Sequence, residues 1–537
     1  MRFCGAARTV TGSCYWLRTP RCNLLVDCGL FQGSKTLKEL NYGPFPFEPR
    51  QIDVVLQTHA HIDHAGLLPK LVKQGFSGPV HMTAGTRDLL SFMLPDSGHI
   101  QEMEVEQLNV RNARRGKPEV TPIYTRADAE HSLELFRDVR YEEWIEAGEG
   151  VRARFWNAGH ILGSASIEVE IATGDRDQRV LRLLFSGDIG PEHKLFHPEP
   201  DAPTNFDYLV CESTYGGRAR TRATPEQRRR ILAGEVKDAL RGDGMLLIPI
   251  FAVERTQELI ADLVKLQGMG AIPRAPIFLD SPLAIQVTRV FEQHAGKLED
   301  LHAGQRLLDH PGIYPTPTAE DSKRIDRISG GAIILAASGM CEAGRIRHHL
   351  KRWLWHRSAT VLLVGYQAQG TLGRLLADGT SDVKIQGLDV KVQARIRQID
   401  VYSGHADGAE LVDWITGRLP IKRAIYLTHG EEAAMSDLTE ALVKRGLDAG
   451  RIVSPVLDDE VELLGDGLGP RARKAPRRLP PEVVGQPDWH NDLARLSLDL
   501  RAALEGAADE RARKVIVRRI TLALEEGRAQ AESGGRS

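Results

Sequence analysis

Hydrophobic and polar positions alternate in two different rhythms along the 537-residue chain. Up to about residue 210, short apolar runs such as "NLLVDCG", "IDVVLQT", "VRARFWNAG", "SIEVEIA" and "VLRLLFSGD" are separated by loops and a few helical patterns such as "AGLLPKLVKQG". Runs of that length bounded by turn residues predict strands, and with the helical patterns they predict an α/β sandwich. From about 211 to 380 the rhythm becomes regular: a helix near 225 to 241, strand "MLLIPIF", helix "ERTQELIADLVKL", strand "APIFLD", a helix, strand "GAIILAAS", a helix and strand "TVLLVGY". Regular β-α alternation predicts a parallel sheet with helices on both faces, hence a second domain. Strand character of the first kind returns in "VKVQARIRQIDVYSGHAD" and "RAIYLTHGEE". The second domain, 211–380, is therefore expected as an insertion between the two parts of the first, 1–210 and 381–463. From 464 to 537 a linker with Pro470, Pro476, Pro480 and Pro481 precedes two amphipathic helical stripes. Leu493, Leu496, Leu500 and Leu504 mark one, and Ile516, Ile520 and Leu524 the other. Those stripes would cover the protein's own body or a second copy, which makes a homodimer one expectation.

Composition narrows this picture. No basic stretch followed by an apolar one opens the chain, and no apolar run nears the roughly 18 residues of a membrane span, so a cytoplasmic protein without a membrane partner is expected. The six cysteines are scattered with no CxxC pair, which argues against both a disulfide framework and a thiolate zinc site. They read as reduced and mostly buried. A net charge of −2 gives no global attraction for a polyanion. Local basic patches remain: Arg218, Arg220, Arg222, Arg228, Arg229 and Arg230 in one stretch, Arg345, Arg347, His348, His349, Lys351 and Arg352 in another. On composition alone each is a solvated helix face.

The densest chemistry lies in "THAHIDHAG", residues 58 to 66. Two histidines at i and i+2 on an extended backbone project to one side, and the Asp-His pair one step on can face a second centre. Imidazole and carboxylate ligands without thiolate suit zinc best, with manganese or iron able to occupy the same set. Four further candidates share one context, a strand end followed by a Gly-containing turn: His160 in "NAGHILGSA", Asp188 in "FSGDIG", His405 in "SGHAD" and His429 in "THGEE". Open α/β sheets place their sites at that edge. Neither a GxxxxGK[ST] nor a GxGxxG is present, so no nucleotide cofactor is expected.

Taken in order, "GAARTVTGSCYWL", "LLVDCGLFQG", "THAHIDHAG", "NAGHILGSA", "FSGDIG", "CESTYGG", "SGHAD" and "THGEE" resemble the motifs of the β-CASP branch of metallo-β-lactamase-fold nucleases. The resemblance covers about residues 1 to 463 and implies an αββα sandwich with an inserted β-CASP domain. It implies that His59, His61 and His160 bind one metal, that Asp63, His64 and His429 bind a second, and that Asp188 bridges them. Asp27 would support the ligand loop. Glu212 and His405 would be the acidic and histidine motifs particular to this branch, acting with Asp63 in catalysis. Two Zn2+ ions per chain, with Mn2+ as a substitute, and single-stranded RNA as substrate are the implied cofactor and partner. Such a pair of metals suits phosphodiester hydrolysis, because it activates water and neutralises the pentacoordinate transition state. Helix starts in "IPIFAVERTQE", "FLDSPLA" and "LAASGMCEAG" offer N–H groups to phosphate oxygens, and Ser338, Gly339, Arg374 and Ser403 are the candidate substrate contacts. Position just after Glu212 favours RNA contact for Arg218 to Arg230. A small-molecule hydrolase would share the histidine motif but has no need of so large an insertion; a DNA-directed nuclease of the same branch is the nearer alternative.

Overall fold

Strands that bury one face must find a second sheet, and here two mixed sheets stack on each other. The computed structural model describes residues 1–534 apart from 174–178, 221–222, 303, 366, 368–370, 465–469, 485–495, 497–499, 501–502 and 505. Arg222 and Leu493 lie outside the described residues. The first sheet runs, in spatial order, Arg471–Arg473, Glu460–Glu462, Arg2–Phe3, Tyr15–Arg18, Asn23–Val26, Val54–Leu56, Val80–Thr83 and Phe136–Val139. The second runs Ile452–Val453, Ile421–Thr428, Phe206–Glu212, Val180–Phe185, Ala165–Ala172, Val151–Asn157 and Trp144–Gly148. The pairing of Tyr15 with Val26 and Leu17 with Leu24 puts all four on one face. They meet Phe155, Ile167, Val169, Leu183, Val210 and Tyr426 of the second sheet. Burying a side chain of this size contributes about 1.5–3 kcal/mol, so this seam is a large part of the fold's stability. Helices close both outer faces. Leu68, Leu71, Leu89 and Leu90 cover the first sheet, and Leu411, Ile415, Leu438 and Leu442 cover the second.

The expected inserted sheet is present and wholly parallel, in the order Ile313–Pro315, Ile277–Asp280, Ala332–Ala337, Met245–Ile250, Ala359–Val364, Arg395–Ile399. Its near-continuous apolar strands follow from burial on both sides. Leu259, Leu263, Ile285 and Phe291 pack on one face, and Ile346, Leu350 and Trp353 on the other. One assignment differs from the sequence reading. "VQARIRQID" was expected in the sandwich, yet Arg395–Ile399 is the edge strand of the inserted sheet, paired with Ala359–Val364. An alternating strand fixes which face is buried and says nothing of its partner. The chain is back on the sandwich by helix Gly408–Thr416, which covers the second sheet, and rejoins that sheet at Ile421–Thr428.

Past residue 464 the chain is more tightly held than a linker. Arg471–Arg473 pairs with Glu460–Glu462, Arg478 Nε lies 3.1 Å from the buried Asp458 carboxylate, and Val484 packs with Phe31, Leu37 and Leu457. The chain divides into two compact units, Met1–Gly485 and Gln486–Ser537. In the second, helix Glu510–Gly534 carries Ile516, Ile520 and Leu524; the other stripe is only partly described. All six cysteines are free and buried. Among the described residues no helix is long and apolar enough to cross a membrane.

Candidate metal centre

Each side chain of the histidine motif is delivered by a loop at the end of a sandwich strand. Val54–Leu56 leads into the loop carrying His59 and His61, and the short helix Ile62–Ala65 that follows turns Asp63 and His64 inward. Val151–Asn157 leads to His160, Val180–Phe185 to Asp188, Phe206–Glu212 ends at Glu212, and Ile421–Thr428 leads to His429. Candidates spread over 371 positions of sequence thus converge. Two groups of donor atoms form, His59, His61, His160 and Asp188 in one and Asp63, His64 and His429 in the other. Asp188 faces both. Its Oδ2 is 3.5 Å from His59 Nε2 and 3.6 Å from His160 Nε2, while its Oδ1 is 3.2 Å from His64 Nε2 and 3.6 Å from His429 Nδ1.

The outer nitrogens decide which lone pairs point inward. His160 Nδ1 donates to the Gly404 carbonyl at 2.6 Å, so a neutral ring presents a bare Nε2. His64 Nδ1 donates to Asp27 at 2.7 Å. The Thr58 hydroxyl donates to Asp27 and accepts from His59 Nδ1 at 3.0 Å, and Thr214 Oγ1, itself donating to the His429 carbonyl, accepts from His429 Nδ1 at 3.0 Å. As a consequence His59 Nε2 and His160 Nε2 both aim at His61 Nδ1, at 3.2 and 3.1 Å. One proton cannot satisfy three nitrogens, and Asp188 Oδ1 is buried with no hydrogen-bond donor. Burial drives His59 and His160 far toward the neutral form and His61 down to about 4. At His64 burial works the same way, but the Asp188 and Asp27 carboxylates outweigh it and hold its pKa up. The Asp188 and Asp63 carboxylates raise His429 in the same way. The neutral imidazoles of His59, His61 and His160 converging on an unsatisfied carboxylate are what a cation requires, so the donor set fits divalent metal ions.

A third group lies beside the other two. His405 Nδ1 is 3.2 Å from Glu212 Oε2 and 3.9 Å from Asp188 Oδ2. Glu212 also accepts from the Ile189 N–H at 2.5 Å, which fixes the carboxylate. Asp188, His59, His64, His160 and His429 are buried, whereas His61, Asp63 and His405 keep part of their surface open.

The structure treats the remaining candidates unevenly. Asp27 sits under the histidine-motif loop, receiving Gln57, Thr58 and His64. Ser403 lies in the His405 loop and accepts from the His405 N–H at 3.3 Å. Ser338 and Gly339 follow the C-terminal end of the inner strand Ala332–Ala337 of the inserted sheet, where Ser338 Oγ accepts from Ala343 N and Gly339 lies against the Phe251 ring. Arg374 pairs with Asp378 one turn along its own helix. The basic stretches are largely structural: Arg228 is buried on Asp262 at 2.8 Å, Arg220 pairs with Glu410 at 3.1 Å, and Arg345 and His349 both bind Asp280. Their position after Glu212 favoured RNA contact for the whole Arg218–Arg230 stretch, and the ion pairing of Arg228 removes it from that set. Gln57, Thr58 and Thr214, which orient the ligands, were missed. Their signal was proximity alone, since Gln57 and Thr58 adjoin the histidine motif and Thr214 follows Glu212. Tyr215, edge-on to His405 at 5.7 Å, was missed for the same reason.

Three family models match this chain: the metallo-beta-lactamase superfamily over residues 7–228, the Beta-Casp domain over 256–376 and the Zn-dependent metallo-hydrolase RNA specificity domain over 389–451. It is similar to Ribonuclease TTHA0252 of Thermus thermophilus, 36% identical over 447 residues, which cover 82% of this chain and 95% of that one. It is also similar to Transcription termination factor FttA of Methanosarcina mazei, 29% identical over 454 residues, 82% of this chain and 68% of that protein. FttA of Methanothermobacter thermautotrophicus is 30% identical over 456 residues, with the same coverage of each chain.

Proposed function

Because the chain belongs to the β-CASP ribonuclease family of the metallo-β-lactamase superfamily, we propose that this metal-dependent nuclease cleaves RNA with two zinc ions. The observation that carries the two-metal reading is Asp188, whose two oxygens face two separate histidine groups. His59, His61 and His160 would hold one ion, Asp63, His64 and His429 the other, with Asp188 shared. Two such ions supply charge neutralisation for an anionic phosphorus under attack and acidify water.

The chain's own residues do the rest. Asp27 and Thr58 orient His64 and His59, so their inner nitrogens need no rearrangement when a ligand arrives. Glu212 accepts the Nδ1 proton of His405 and thereby leaves Nε2 as the nitrogen that carries and releases a proton. Set on the open side of the cluster, His405 is the general acid: its Nε2 proton passes to the departing ribose oxygen as the P–O bond breaks. Ser403 fixes the backbone of that loop. Ser338, Gly339 and Arg374, on the inserted domain, are proposed to meet phosphates away from the cut, with single-stranded RNA lying between the two domains' loops. The domain limits that fit this reading are those of the sequence, with the edge strand Arg395–Ile399 added to the insertion and the stretch from Arg471 to Val484 joined to the sandwich.

End-labelled single-stranded RNA and DNA of one sequence, with 5′-phosphate or 5′-hydroxyl, tests the proposal with purified full-length protein and zinc. RNA is expected to be cut and DNA spared, and the product ladder reads whether cutting starts from an end. Equal cleavage of both polymers, or none of either, overturns the RNA assignment.

A further inference from the structure

Glu254 occupies a backbone conformation that a glutamate should avoid. It joins strand Met245–Ile250 to helix Arg255–Gly268 with φ 70 and ψ −67, and Arg255 N donates to Val253 O at 2.9 Å across it. This is the strained γ-turn of positive φ, rare for any residue and disfavoured by a Cβ. A glycine would adopt it freely. Glutamate therefore stands there for its side chain.

That side chain leaves its own domain. It is 3% exposed and reaches the loops that carry two of the metal-site residues. Glu254 Oε2 accepts from Leu162 N at 3.2 Å, two residues after His160. Its Oε1 lies 2.7 Å from His197 Nε2 and 3.9 Å from Lys194 Nζ, both on the segment that follows Asp188. Lys194, also buried, donates to the His160 carbonyl. One carboxylate of the insertion thus grips the His160 loop directly and, through Lys194, a second time.

We propose that Glu254 is a positioning residue that locks the His160 loop to the inserted domain and so presets the first metal group, with the strained turn tolerated for that purpose. The inference rests on the metal-dependent reading above. Without the carboxylate, Lys194 and His197 lose their shared anion and the Leu162 N–H loses its acceptor, so the loop is free to shift and His160 Nε2 loses its aim at His61 and Asp188.

Glu254→Ala and Glu254→Gly separate this role from plain fold support. Both remove the carboxylate, but glycine relaxes the turn and alanine does not. The full chain is stripped of metal, and zinc affinity is measured by chelator competition, with Co2+ absorption as a second reading and thermal melting beside it. Glycine is expected to melt higher than alanine, while both lose zinc affinity alike, by about 10- to 100-fold, the usual cost of removing a group that orients a ligand. Glu254→Gln keeps an oxygen for Leu162 N and should fall between them and the parent; it replaces alanine in the comparison if alanine fails to fold. Parent-like zinc affinity in either variant, or affinity that recovers along with stability in glycine, overturns the positioning role. RNA cleavage by the parent is scored separately, so a parent that binds zinc tightly yet leaves RNA intact counts against the substrate and not against Glu254.

Discussion

Among the described residues Asp188 is the one carboxylate that faces both histidine groups, so its loss should be felt at both. Asp188→Ala is expected to abolish RNA hydrolysis and lower bound zinc below the two ions per chain proposed for the parent, with the far-ultraviolet spectrum unchanged. Metal analysis after dialysis checks it, and near-parental cleavage would mean that another group bridges. Two histidines that look alike in sequence should separate in the same assays. His429, bonded to Thr214 and 3.1 Å from His64 Nε2, should as His429→Ala lose metal and activity together. His405→Ala should keep both ions and still bind RNA, while cleavage falls by about 10²- to 10⁴-fold, the range for a lost general acid. A nitrophenolate-releasing phosphodiester needs little protonation and should be spared most of that loss. Equal slowing of both substrates would reassign His405. At this scale the candidate ligands and their strand-end positions were readable in sequence, because turn chemistry is local. The orienting bonds of Gly404 to His160 and Thr214 to His429 were not, since they join residues 244 and 215 positions apart.

Among the elements, the strand Ile277–Asp280 ends in a buried carboxylate that ties the inserted domain together. Asp280 accepts from His349 at 2.7 Å, Arg345 and Ser322 at 2.8 Å and Thr316 at 2.7 Å. Burial alone would raise its pKa, but these bonds outweigh burial and hold it at about 2, below the ordinary 3.8. A depressed folded-state pKa adds stability that is complete above the unfolded value and is lost as pH falls from there toward about 2. Asp280→Asn should therefore cost about 2 kcal/mol at pH 7 and progressively less below pH ~4. Urea unfolding at pH 7 and pH 3 measures it, and a pH-independent loss would place the stabilisation in shape rather than charge. The helices and strands themselves were legible from periodicity. That Arg345 and His349 face Asp280 instead of solvent was not, because a basic helix reads the same in either setting.

For the whole molecule, the compact unit that holds the site ends at Gly485. A chain cut after Gly485 should keep its fold and its metal, whereas one cut after Leu464 removes Arg478 and Val484. That shorter cut strips a partner from Asp458, which is fully buried and also contacted by Arg2 at 3.4 Å. Breaking a buried pair costs about 3–5 kcal/mol, so the shorter chain should melt well below the longer one. Equal melting of the two would show that the 464–485 segment adds little.

The sequence by itself determined the sandwich, the insertion and the candidate metal-site residues, because strand length, helical period and the spacing of "THAHIDH" are properties of neighbours along the chain, and the resemblance to the family sorted those candidates into two groups. Tertiary structure alone decided that Asp188 turns one oxygen to each histidine group and that Arg395–Ile399 closes the inserted sheet. It also decided that Glu254 crosses from one domain to the ligand loop of the other. Those outcomes are set by which distant groups share a low-dielectric interior, where an unpaired charge is costly and every buried donor must find its acceptor.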